Sequence, residues 1–200
     1  MAIREIRVMG DPILEKTSKV VKHNTSRNQT LIADMLDTMY DANGVGLAAV
    51  QVGVLKRIVT MDVGEGPIIL INPEILMSSG EQIGEEGCLS LPGKYGIVKR
   101  PDFVRVKALD EDFNPFIIEG EDLAARALCH EIAHLNGEMY VGLVEDGLHD
   151  TTPIEEESYE EQELNDEVEE SEVEESEAAE SDEERGSLVR IYREGEAFQD

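Results

Sequence analysis

Two histidines four residues apart, His130 and His134, with Glu131 beside the first, are the strongest chemical signal in the chain. On an α-helix, positions i and i+4 share a face, so both imidazoles can reach one metal ion. Glu131 projects about 100° away from His130, beside such an ion rather than on it, where a carboxylate can handle a water molecule's protons. A metal needs at least a third ligand. Cys88, in a glycine-rich turn that runs into Leu91-Pro92-Gly93, and His149, at the edge of an acidic stretch, are the main candidates by residue type. Cys88 is the better placed. Glu138 follows His134 too closely to act as the downstream ligand of a metal peptidase. Cys129 adjoins His130 but points off the ligand face and reads as a small buried hydrophobe.

The element that must carry this chemistry is residues 122–137, DLAARALCHEIAHLNG. Leu123, Ala124, Ala127, Leu128, Ile132 and Leu135 make the helix apolar nearly all round, the mark of a buried helix. Burying two histidines and a glutamate without partners would be costly, which argues for a site over mere core filling. Glu121 and Asp122 suit the positive start of the helix, and Gly137 suits its end. Residues 28–42 form a second, amphipathic helix, with Leu31, Ile32, Met35, Leu36 and Met39 at three- and four-residue steps and Ser26 or Asn28 as its cap.

Between the helices, residues 44–53 (GVGLAAVQVG) are small and apolar apart from Gln51, as expected where backbone approaches something closely. The segment has no Gly-Lys-Ser/Thr ending and is no phosphate loop. Residues 56–63 and 67–72 read as strands, 78–86 as a polar loop, and 95–99 as another short strand. Residues 103–109 and 115–119 alternate as an antiparallel hairpin. Residues 3–8 are a short strand or an extended arm, and 13–25 a loop anchored at Val20-Val21. The expected fold class is α+β: antiparallel strands packed around a buried central helix carrying HExxH.

Charge divides the chain. Residues 151–200 hold 21 Asp/Glu against 3 Lys/Arg, a net of −18, whereas residues 1–150 carry a net of −10. The expectation is therefore a domain at 1–150 and an acidic, disordered C-terminal tail at 151–200, because so many like charges with few large apolar side chains cannot build a core. No basic run exists to neutralise phosphates, which argues against direct nucleic-acid binding. No apolar stretch is long enough for a signal peptide or a membrane span. A cytoplasmic, reduced setting follows, with no disulfide expected between Cys88 and Cys129.

Three segments, residues 44–51 (GVGLAAVQ), 86–90 (EGCLS) and 130–137 (HEIAHLNG), resemble the signature motifs of peptide deformylases in order and spacing, and the likeness extends over about residues 3–145. The resemblance implies that Cys88, His130 and His134 hold one divalent metal, Fe2+ in the usual enzyme, with Zn2+, Ni2+ or Co2+ as replacements. It implies Glu131 as general base and acid, with Gln51 and the Leu89 N–H as oxyanion donors. Gly46 would meet the peptide backbone, and Val45, Leu123 and Ala127 would wall the methionine side chain. The implied activity is removal of the formyl group from the formylmethionine of nascent polypeptides, by a monomer working in the cytoplasm near the ribosome surface. Two departures stand out: Ala133 where the family commonly has Asp, and Cys129 where Gln is frequent. A non-catalytic relative acting through its acidic tail is the second reading, opposed by the completeness of the residue set. A third reading, a metallopeptidase of internal bonds, lacks a usable downstream ligand.

Overall fold

The structure, a computed structural model, describes residues 2–151 and 189–193. Residues 152–188 and 194–200, and with them most of the expected disordered tail, lie outside the described residues; residues 189–193, expected as part of that tail, are instead a strand paired in the main sheet.

Helix α1 runs Ser26–Asp41. Its cap is Thr25, whose side chain accepts from the Asn28 N–H, rather than Ser26 or Asn28. The apolar stripe is buried as its period requires: Leu31, Ile32, Met35 and Met39 pack with Leu47, Ile58 and Ile71.

The strands are β1 (Gly46–Ala48), β2 (Ile58–Met61), β3 (Ile68–Ser79), β4 (Gln82–Cys88), β5 (Leu91–Arg100), β6 (Phe103–Leu109), β7 (Pro115–Glu121), β8 (His149–Asp150) and β9 (Val189–Arg193). They form a six-stranded sheet in the order β1-β2-β3-β6-β7-β9 and a separate three-stranded sheet, β4-β5-β8. Every pairing is antiparallel. The β6–β7 hairpin forms as its alternation predicts. Residues 78–86, expected as a loop, are instead the end of β3, a tight turn and most of β4. Their polarity misleads because the one buried position along β4 is a charged residue, Glu86, so the strand has no apolar face to announce it.

Helix α2, Asp122–Asn136, packs on the six-stranded sheet: Ala125, Leu128, Ile132 and Leu135 meet Val59, Met61, Leu70, Val104, Val106 and Ile118. It ends at Gly137, whose φ of 83° is left-handed and whose hydrogen side faces the backbone oxygen of Glu15, where a Cβ would come within 2.5 Å. Only glycine meets both demands. Residues 2–8 form no strand. They are an extended arm whose Arg7 N–H donates to the Gln51 carbonyl, and the Met9 N–H just beyond donates to the Ser90 carbonyl, so this stretch bridges two of the motif segments. At the far edge of the sheet, β9 covers β7, with the Tyr192 hydroxyl donating to Glu119. Among the described residues no helix is long and apolar enough to cross a membrane.

Candidate active site

Cys88 ends β4, while His130, Glu131 and His134 lie on buried turns of α2. The arrangement brings Cys88 Sγ within 3.2 Å of His134 Nε2, and His134 Nε2 within 3.2 Å of His130 Nε2. His149 is elsewhere: it is exposed on β8 and stacked on Tyr95, with ring centroids 5.2 Å apart. The third donor is therefore Cys88, not His149.

A test of fit for a cation comes from the donors themselves. His130 Nδ1–H donates to Glu86 Oε1 at 2.7 Å, which fixes the tautomer and turns the Nε2 lone pair toward the cluster. A tetrahedral ion with bonds of about 2.0–2.3 Å spaces its ligand atoms by roughly 3.3–3.7 Å; two of the separations here are 3.2 Å, and all three donor atoms lie within 4.8 Å of one another. Among the described residues, His134 Nδ1 and Glu131 Oε2 are both buried without a hydrogen-bond partner. One thiolate and two imidazoles suit Fe2+, Zn2+, Ni2+ or Co2+ and not a hard ion such as Mg2+. The residues fit a divalent transition metal.

Electrostatics sorts the titratable groups. Burial pushes the Glu131 carboxyl up to about 7, against the pull of His130, so it exchanges protons near neutrality. Burial, joined by the His130 charge, holds His134 down at about 3. Burial works the same way on His130, but hydrogen bonds to Cys88 and Glu86 overturn it and raise the group to about 10. Burial of Glu86 is likewise outweighed: hydrogen bonds from His130 and Arg100 keep it at about 2.

The remaining expected residues gather around this centre. Val45, Gly46, Gln51, Leu89, Leu123 and Ala127 line one cavity of about 590 Å³ together with Cys88, His130 and Glu131. Gln51 sits in a short 3-10 turn, Ala49–Val52, buried to 1% exposure. Its Oε1 accepts from the Ala48 N–H, which turns Nε2 toward Ser90 Oγ at 3.1 Å and Cys88 Sγ at 3.6 Å. Gly46 passes over Glu131 so closely that a Cβ would lie 2.5 Å from Oε1. Val45 and Leu123 are half exposed on the cavity wall, and Ala127 is buried.

Sequence reasoning gave no role to Glu86, Arg100 and Arg126. Arg100 Nε and Nη2 donate to Glu86 at 3.0 and 2.6 Å, and Arg126 Nη1 adds a third contact at 3.2 Å. All three are less than 9% exposed. The available signal was the charge at Arg126, four residues before His130 on a largely apolar helix, together with the Glu85-Glu86 pair just before Cys88.

Comparison with known proteins agrees with this geometry. The model of the polypeptide deformylase family matches residues 3–147. A peptide deformylase of Lachnoclostridium phytofermentans is 62% identical over 163 residues, covering 80% of this chain and 100% of its own length. Another, from Agathobacter rectalis, is 60% identical over 152 residues, 76% of this chain and 96% of the relative. The crystal structure of a peptide deformylase from Legionella pneumophila superposes with a TM-score of 0.71 at 49% identity, over 72% of this chain and 88% of that one. With three converging donors, a buried carboxylate beside them and relatives matched over nearly their whole length, the chain belongs to the polypeptide deformylase family.

Proposed function

We propose that this protein hydrolyses the N-formyl group from the formylmethionine of newly made polypeptides, with Cys88, His130 and His134 holding one divalent metal. The observation that carries the reading is geometric: the donors of Cys88, His130 and His134 converge beside the buried carboxylate of Glu131. When bound, the ion supplies a Lewis acid and lowers the pKa of a water molecule. Glu131 accepts that water's proton as its oxygen bonds to the formyl carbon. The same carboxyl returns the proton to the nitrogen as the C–N bond breaks, leaving formate and a free amine. The Gln51 amide, held with its nitrogen facing Cys88, and the Leu89 N–H receive the charge that builds on the formyl oxygen. Val45, Leu123 and Ala127 hold the methionine side chain, and Gly46 lets the peptide backbone pass over Glu131.

The soft thiolate with two imidazoles supports Fe2+ as the native ion, with Zn2+, Ni2+ and Co2+ as functional replacements. A monomer in the cytoplasm, working at the ribosome surface on emerging chains, fits the substrate chemistry. A non-catalytic binding role would leave the orphaned Glu131 Oε2 and the orientated Gln51 without purpose.

The test is deformylation of a short formyl-Met peptide by protein prepared without oxygen and loaded with iron or nickel, with Glu131→Ala alongside. Turnover in the wild type and its loss in a Glu131→Ala variant that keeps its metal is the expected result. A folded, stoichiometrically metallated wild type without turnover would sink the proposal.

A further inference from the structure

Cys88 stands on a sheet that, among the described residues, shares no strand ladder with the sheet on which α2 packs. Its hairpin belongs to β4-β5-β8, whereas α2 packs on the six-stranded sheet. Something must set the distance between the Cys88 sulfur on one sheet and the imidazoles on the helix packed against the other, and strand pairing does not do so. We propose that Arg126 is the positioning residue that fixes Cys88 against His130 and His134. The inference rests on the metal-site reading above.

Arg126 lies on α2 one helical turn before His130 and on the same face. The residue is 7% exposed, and both terminal nitrogens of its guanidinium engage the hairpin. Nη1 donates to the Gly84 carbonyl of β4 at 3.3 Å and the Val98 carbonyl of β5 at 3.2 Å. Gly84 and Val98 are cross-strand partners, so a single nitrogen grips both strands at one rung of the ladder. Nη1 also meets Glu86 Oε2 at 3.2 Å, and Nη2 donates to Gln82 Oε1 at 3.2 Å. Gly84 makes room for the grip: a Cβ there would lie 3.2 Å from Nη2.

Three residues of extended chain, Glu85 to Gly87, separate this rung from Cys88, and the same carboxylate that Arg126 touches orientates His130. Arg126 thus acts on both sides of the metal site at once. A planar fork with several N–H donors can serve three strand acceptors and a carboxylate together, which an ammonium on a flexible stem cannot. Burying such a charge is costly in stability, and the geometry it imposes on the ligands is the compensating gain.

The experiment compares the full-length wild type with Arg126→Met and Arg126→Lys, each stripped of metal and titrated with Co2+ against a competing chelator. Thermal melts run in parallel, and near-ultraviolet spectra record the thiolate-to-cobalt charge-transfer band. In Arg126→Met the expected result is a loss of about 10–100-fold in cobalt affinity, with the thiolate band weakened relative to the visible d–d bands. Arg126→Lys, keeping the charge but not the fork, recovers only part of both. A folded Arg126→Met with wild-type affinity and an intact thiolate band, differing only in melting temperature, would overturn the proposal. So would full rescue by lysine. Should Arg126→Met not fold, wild-type affinity and spectrum in Arg126→Lys overturn it alone. Absence of stoichiometric cobalt binding in the wild type removes the metal reading itself, and this inference with it.

Discussion

Adding one methyl group at Gly46 tests whether the active-site carboxylate is held where the chemistry needs it. A Cβ at Gly46 would lie 2.5 Å from Glu131 Oε1 and 2.9 Å from both Cδ and Cγ. Ordinary contact begins near 3.4 Å, so one side must yield by roughly 1 Å. Gly46 is fixed by its pairing with Met61, and Glu131 is packed on α2 with the metal donors, so the carboxylate tip moves most easily. A displacement of that size costs about 10²-fold in a step that depends on alignment, within the range of about 10²–10⁴ that general acid–base catalysis supplies. Gly46→Ala is therefore expected to lower kcat about 100-fold while its metal content stays at the wild-type level, because Glu131 is not a ligand. Steady-state release of free amine from a formyl-Met tripeptide, with metal analysis of the same samples, makes the measurement. If the methyl group only crowded the peptide backbone, KM would rise with kcat unchanged. That outcome, or full wild-type turnover, refutes the claim that Gly46 is small in order to leave Glu131 its place.

Three further outcomes are expected. Glu86→Gln leaves Arg100 and Arg126 buried without a counter-charge, which costs about 3–5 kcal/mol and lowers the melting temperature in thermal denaturation of the metal-free protein. The pH sign follows from the Glu86 carboxyl, held at about 2 against an ordinary 4.5. Its contribution is whole above about 4.5 and fades as the pH falls toward 2, so the gap between wild type and Glu86→Gln closes on acidification. Gln51→Leu removes one oxyanion donor and is expected to cut kcat about 10²–10³-fold with metal affinity retained in chelator competition. Deleting residues 189–200 exposes the edge of β7 and removes the Tyr192–Glu119 hydrogen bond. Denaturant unfolding should register a loss of about 1–3 kcal/mol, while kcat at a temperature where both proteins are folded is unchanged.

The apolar half of the fold was legible in the sequence because hydrophobic burial writes a period. Leu31, Ile32, Met35 and Met39 mark α1, and the alternation across residues 103–109 and 115–119 marks the β6–β7 hairpin, whose second strand runs two residues further, to Glu121. The three motif segments meet in one cavity, so their spacing carried the site as well. Strand β9 was not legible. Its five residues alternate, but its partner lies across the acidic stretch, and nothing local to Val189–Arg193 names β7 as the edge to cover.

The ionic side of α2 escaped for a different physical reason. Glu86, Arg100 and Arg126 are each residues that usually face water, and a pattern reader assigns them there. They are buried only because they satisfy one another: a carboxylate held by two guanidiniums and an imidazole keeps its charge, and so do its partners. No single position carries that information. It resides in the coincidence of strand register, helix phase and side-chain reach, which exists only after the chain has folded. An apolar contact at the same place would hold the hairpin against the helix as firmly, but it would not turn His130 or fix its tautomer. The charges are buried because the metal donors need a direction as well as a distance, and only hydrogen bonds supply one.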